Sequence, residues 1–228
     1  MPTYGDATAA LIEDTYARGA NQVAVLMRHS ARTFHPDIND LDNQLTEEGR
    51  SLASRLGGML PPGLKVRGYA SPAQRCLDTA ELMLESYANA GGQITRTRPV
   101  EAFGVFYALD QQRMWKGFAS AGGMIPYVQQ WFAGEVPSEA VMPPQLAANL
   151  VCHVLAGRLD SPIGDRTLDV CVTHDLTVHL VREALLGQVA DMAPVEFLDA
   201  LVMYREGGQL MLASHHGPAA VVSSELSI

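Results

Sequence analysis

The chain has 228 residues, of which 47% are hydrophobic and 18% charged, enough to bury a full core as one domain without disulfide or metal staples. A formal net charge of −9 and a pI near 5.2 exclude a general affinity for nucleic acid or an anionic membrane surface, because either partner needs a basic face to neutralise phosphates. Three cysteines, Cys76, Cys152 and Cys171, are too few and odd in number for a disulfide framework and read as buried thiols in a reducing compartment.

The opening MPTYGDATAALIEDTYARG mixes Asp6, Glu13, Asp14 and Arg18 among its apolar residues, unlike a signal peptide. No stretch approaches the roughly 18 uninterrupted apolar residues of a membrane helix, so a cytoplasmic protein is expected. Ala9, Leu11, Ile12, Tyr16 and Ala17 recur at helical spacing before Gly19 and predict a leading helix within 6–19. QVAVLM at 22–27 is an unbroken apolar run of strand length, the pattern of a strand covered on both faces, and it gives way to Arg28 and His29. Thr46, then Glu47 and Glu48, then Leu52, Ala53, Leu56 and Met59 predict a capped helix ending at Gly57, Gly58 and Pro61.

KVRGYAS at 65–71 reads as a second strand, and Ser71-Pro72 opens a helix through 72–88 that Gly91 and Gly92 break. ITRTRPV at 94–100 alternates like a strand. Residues 102–145 gather Trp115, Phe118, Tyr127, Trp131 and Phe132 among glycines and prolines, and are expected to form a small helical cap or lid whose aromatic side chains are candidates to line a pocket. LDVCVTH at 168–174 reads as a buried strand leading into a helix from about 176 to 186. FLDALVMY and QLMLASH flank Glu206, Gly207 and Gly208, a hairpin signal. The alternation of strands and helices implies an α/β fold, a three-layer sandwich with a largely parallel central sheet in one domain over 1–228, where ligands gather at the carboxyl ends of the strands.

Three such ends carry cations and imidazoles: Arg28, His29 and Arg32 after the first strand, Arg75 after the second, and His174 with Asp175 after a later one. Neighbouring parallel strands would bring them to one pocket, a strong local anion site despite the acidic whole. A neutral imidazole can attack phosphorus while guanidinium groups neutralise the equatorial oxygens, and a carboxylic acid must then protonate the leaving oxygen. Arginines can supply the charge that magnesium supplies elsewhere, so no metal or other cofactor is expected, and the absence of a Gly-rich P-loop pattern argues against a nucleotide-driven kinase.

LMRHSAR resembles the Arg-His-Gly signature of the histidine phosphatase superfamily, SPAQRCLDTA its second-arginine helix and VTHDLTV its second-histidine motif; with LTEEGR the resemblance covers most of residues 22–186. It implies a phosphoglycerate mutase-like fold, with His29 as the phosphorylated nucleophile and Arg28, Arg32, Arg75 and His174 as phosphate ligands. The Arg-His-x-x-Arg spacing and the His-Asp pair are more similar to the acid phosphatase branch, which makes Asp175 the preferred proton donor. Glu101 in RPVEAFG is the competitor, placed where the phosphoglycerate mutase branch takes its acid. One departure is Ser30, where the family usually has Gly; its hydroxyl is a candidate for a phosphate contact.

The expected activity is a metal-independent phosphomonoesterase acting on a small phosphorylated substrate through phosphohistidine on His29. A phosphomutase of the same fold, or a non-catalytic phosphate-binding or interaction module, is the alternative. Phosphate or another oxyanion is the expected pocket ligand, and nothing in the sequence fixes an oligomeric state. His35, in FHPD, is a candidate rim residue. His215 and His216, read as part of a strand, would point to opposite faces and make a poor metal pair. Cys76 and Cys171 read as small buried hydrophobes rather than nucleophiles.

Overall fold

Five of the seven residues in Gln22–Arg28 are buried, which a strand achieves only in the middle of a sheet with a layer on each face. The computed structural model describes residues 3–33 and 42–223, and His35 lies outside them. In chain order the elements are α1 (Asp6–Ala17), β1 (Gln22–Arg28), α2 (Glu47–Gly58), β2 (Lys65–Ala70), α3 (Gln74–Asn89), β3 (Gln93–Ile94), β4 (Arg98–Pro99), a 3-10 turn (Glu101–Phe103), α4 (Gln111–Ala121), α5 (Met124–Phe132), α6 (Pro144–Leu159), β5 (Thr167–Thr173), α7 (Asp175–Leu186), β6 (Ala200–Glu206), β7 (Gln209–Ser214) and β8 (Gly217–Val221).

The strands form one mixed sheet in the order β3-β2-β5-β1-β6-β7-β8, with β4 also pairing β2. β1, β2, β3, β4 and β5 pair in parallel, whereas β6, β7 and β8 continue from β1 as antiparallel partners. The period of two along β1 divides its side chains between the layers. Val23, Val25 and Met27 join Ile12, Leu56 and Met83 under α1, α2 and α3; Ala24 and Leu26 join Leu155 and Val181 under α6 and α7. The expected α/β sandwich is therefore the fold of the protein. No helix among the described residues is long and apolar enough to cross a membrane.

A third apolar cluster, separate from the two sheet faces, holds the region between β4 and α6. Tyr107 stacks on Trp131 at 5.4 Å, Trp131 donates its indole N–H to the Met142 carbonyl at 2.7 Å, and Tyr127, Leu176 and Leu180 close around them. The aromatic residues of 102–145 thus divide: Phe103, Tyr107, Tyr127 and Trp131 are buried, while Trp115 remains half exposed.

Two readings change. ITRTRPV is not one strand but two separate two-residue ladders on β2, with Thr97 looping out between them across Gly68, where any Cβ would meet the Thr97 hydroxyl oxygen at 2.6 Å. His215 and His216 do not alternate across a strand. They form the turn between β7 and β8, with ring centroids 3.8 Å apart, and both reach the carboxylate of Asp199.

Candidate active site

Register explains why distant residues meet. Arg28 pairs with Thr173 at the carboxyl ends of β1 and β5, and Ala70 pairs with Val172, so the residues that follow each strand emerge along one edge. The ladder continues one step further, with His29 N–H donating to the Thr173 carbonyl at 2.9 Å and Ser71 N–H to the Val172 carbonyl at 2.9 Å. His29, Ser71 and His174 are thereby fixed side by side, with the His29 and His174 rings edge-to-face at 5.7 Å.

His29 is buried, and its Nδ1 lies 2.8 Å from the carbonyl oxygen of Ser30. A carbonyl only accepts, so Nδ1 carries the proton and Nε2 holds the lone pair. Burial, and then the neighbouring His174 and Arg75, hold the His29 pKa well below its ordinary 6.5. The imidazole is therefore neutral at neutral pH, with its lone pair on Nε2.

Across from it, Arg75 lies in the first turn of α3, where the helix dipole adds positive potential. Its guanidinium donates to His174 Nδ1 at 3.2 Å, and His174 Nε2 in turn sits 2.9 Å from the Ser71 hydroxyl. Thr79, one turn along α3, donates to the Arg75 carbonyl at 2.7 Å and accepts the Ser30 N–H at 3.1 Å, so the loop after β1 and α3 share one hydroxyl.

The helix begun by LTEEGR fixes the same loop from the other side. Thr46 caps α2 by accepting the Gly49 N–H, and the Ser30 hydroxyl donates to the Gly49 carbonyl at 2.7 Å. The buried Ser30 hydroxyl is thus committed to α2, away from its suggested role as a phosphate contact. Arg32 forms an isolated bridge with Leu45 next to this loop, and its charge acts on the Cys76 thiol.

Arg28 is held by the turn before β6. Its guanidinium donates to the Val195 carbonyl at 2.7 Å, lies 4.1 Å over the Phe197 ring and pairs with Asp175 at 3.0 Å. The turn is strained at Leu198, the one non-glycine with positive φ (63°) among the described residues, whose carbonyl is tied to the Thr8 hydroxyl at 2.6 Å. The carboxylate of Asp175 also accepts the Leu176 N–H at 2.9 Å, so it is engaged twice, by Arg28 and by the first turn of its own helix.

A cavity of about 500 Å³ opens beside this edge, and Ser71, Arg75, His174 and Glu101 line it. Glu101 heads the 3-10 turn, exposed; Phe106, Met114 and Trp115 supply an apolar wall and Gln111 an amide. Arg75 is the one guanidinium lining it among the described residues. Cys76 lies 3.9 Å from His174 Nε2, but full burial pushes its thiol up to about 12, so it stays protonated, a packing residue as its sequence context suggests.

Residues 24–98 match the family model described as histidine phosphatase superfamily (branch 1). The whole fold is similar to that of a phosphoglycerate mutase from Bacillus anthracis str. Sterne, with a TM-score of 0.53 and 16% identity over 86% of this chain and 93% of that one. It is similar also to a phosphoserine phosphatase mutant from Entamoeba histolytica in complex with phosphoserine (TM-score 0.52, 15% identity, 84% and 95% covered). The ecdysone phosphate phosphatase of Bombix mori in complex with tungstate gives a TM-score of 0.52 at 16% identity, with 90% and 96% covered. A comparison with curated protein sequences gives no match. The resemblance to the histidine phosphatase superfamily therefore holds: residues 24–98 carry the family's pattern, and the chain as a whole has the phosphoglycerate mutase-like fold.

Proposed function

We propose that the protein is a metal-independent phosphomonoesterase that works through a phosphohistidine on His29. The observation that carries this reading is the hydrogen bond from His29 Nδ1 to the Ser30 carbonyl, which leaves a neutral Nε2 as nucleophile beside Arg75 and His174. Nε2 attacks the phosphorus of a bound monoester as the bond to the leaving oxygen breaks, and Arg28, Arg32, Arg75 and His174 neutralise the phosphoryl oxygens. Water then attacks the phosphohistidine, releases inorganic phosphate and returns the electron pair to Nε2.

Proton transfer to the leaving oxygen falls to Glu101 in this proposal, reversing the preference for Asp175. Glu101 lines the cavity, whereas the carboxylate of Asp175 is engaged by Arg28 and by the N–H of Leu176. In the second step Glu101, now a carboxylate, takes the proton from the attacking water. Asp175 then positions Arg28. Residues 102–145 act as the cap, since Phe106, Met114 and Trp115 wall the cavity. That wall favours a monoester whose alcohol is apolar or aromatic and uncharged. Phosphatases are among the proteins that share the fold, which agrees with this reading.

The test is hydrolysis of para-nitrophenyl phosphate between pH 4 and 8 with excess chelator. Wild type is expected to turn over, and His29→Ala to lose both turnover and the acid-labile phosphoryl label that wild type acquires. Activity surviving in His29→Ala would sink the mechanism. A label that forms but passes to an added alcohol and not to water would mark a phosphomutase, and a protein that binds phosphate without forming any label would be a binding module.

A further inference from the structure

We propose that Asp199, His215 and His216 form a binding site for a divalent transition-metal ion of the zinc kind, distinct from the phosphoryl site. His215 Nε2 lies 3.8 Å from Asp199 Oδ1, His216 Nε2 lies 3.8 Å from Asp199 Oδ2, and one donor atom from each of the three residues falls within 4.8 Å of the others. These separations are too long for direct hydrogen bonds. They are close to the spacing of donors around one small ion, since bonds of about 2.0–2.2 Å in a tetrahedron set donors about 3.3–3.6 Å apart.

The atom that carries the argument is His216 Nε2, which is removed from solvent and has no hydrogen-bond partner, although a buried ring nitrogen ordinarily finds one. His215 is an exposed residue whose side chain is 24% accessible, so the site is reachable. Its surroundings are already fixed. The main-chain N–H of His216 donates to the Ser214 hydroxyl at 3.1 Å, which donates to Gln188 at 2.6 Å, and the Asp199 carboxylate accepts the main-chain N–H of Glu196 at 2.9 Å. Two imidazoles and one carboxylate suit a borderline ion such as Zn²⁺, whereas Mg²⁺ and Ca²⁺ prefer all-oxygen sets.

Such an ion would staple the β7–β8 turn to the residue before β6. That residue also accepts the Arg28 main-chain N–H at 2.9 Å, so the ion stiffens the support of Arg28 and takes no part in phosphoryl transfer.

The experiment is calorimetric titration of the chelator-treated, desalted full chain with zinc chloride at pH 7.5 in a non-coordinating buffer, with Co²⁺ absorption as a second readout. Wild type is expected to bind one equivalent with micromolar or tighter affinity and to show the visible bands of a cobalt–imidazole site. His29→Ala is expected to bind the same equivalent, which separates this site from the catalytic histidines. His215→Gln and His216→Gln are each expected to weaken binding at least 100-fold. Absence of saturable binding in wild type overturns the proposal, as does binding retained in His215→Gln, a solvent-facing change that leaves the fold intact even where His216→Gln disturbs it.

Discussion

Gly49→Ala should damage both stability and turnover although it adds a single methyl group to a helix. The new Cβ would stand 2.0 Å from the Ala31 carbonyl oxygen and 2.9 Å from its carbon, and ordinary contact begins near 3.4 Å, so α2 or the loop after β1 must retreat by more than 1 Å. Overpacking of this kind costs about 1–3 kcal/mol. The retreat also strains two hydrogen bonds at the same contact, Thr46 N–H to the Ala31 carbonyl at 3.1 Å and the Ser30 hydroxyl to the Gly49 carbonyl at 2.7 Å, each contributing about 0.5–1.5 kcal/mol. Alanine's better helix propensity returns about 1 kcal/mol, leaving a net loss of about 3 kcal/mol. Because Ala31 is two residues from His29, misplacing the loop by about 1 Å should lower kcat/KM on the order of 100-fold. Urea denaturation and para-nitrophenyl phosphate kinetics measure the two effects. The control is Gly157→Ala in α6, where nothing lies within 4 Å of the added Cβ and stability should rise by up to about 1 kcal/mol. A Gly49→Ala protein within about 0.5 kcal/mol of wild type would refute the reasoning.

Glu101→Gln should lower kcat for an alkyl phosphate at least 10-fold more than for para-nitrophenyl phosphate, whose leaving group needs no proton; equal losses on both substrates would remove Glu101 as the acid. Ser30→Ala should cost about 1 kcal/mol of stability in urea while keeping phosphate affinity, because its hydroxyl serves Gly49; a KM rise without destabilisation would contradict this. His179 is pulled down from 6.5 to about 4 by burial and by Arg182, so the unfolded chain takes up the proton first. Its contribution is fully present above pH 6.5 and falls by on the order of 3 kcal/mol as pH drops toward 4. His179→Gln should therefore flatten the loss of stability across that window, and an unchanged slope in urea midpoints would count against it. His29 shifts in the same direction, so kcat/KM should show no acid limb from the nucleophile near pH 6.5.

The sequence was most readable where burial is two-sided. QVAVLM and LDVCVT are largely apolar because β1 and β5 are central strands, the buried Asp169 being paired with Arg67, and the polar residues that follow them emerge at one edge of the sheet. Thr46 bounded a helix because its own chemistry does so, as an N-cap side chain. α6 was missed because Ala147, Val151, Cys152, Leu155 and Leu159 are flanked by further apolar residues, and the helix, wedged between the sheet and α7, shows no clean polar face. The turn at His215 and His216 was hidden for a different reason. β7 ends at Ser214, whose side chain is committed to Gln188, and no glycine or proline announces the reversal before Gly217. Pairwise commitments such as Asp175 with Arg28, or Ser30 with Gly49, depend on partners 147 and 19 residues away and leave no mark on either local pattern.

The switch from parallel to antiparallel pairing at β1 decides which part of each strand can contribute chemistry. β2, β5 and β1 deliver their last residues to the edge that carries His29 and His174, but β6, running the other way, delivers its first, and β7 its last. The two directions offer different latitude. β2 and β5 are followed within a few residues by α3 and α7, which ties those connections to helix docking, whereas the turn at 195–199 leads into β6 and the one at 215–216 joins β7 to β8. Substitutions at 195–199 can therefore shift the support of Arg28 without moving Ser71, Arg75, Glu101 and His174, which line the cavity.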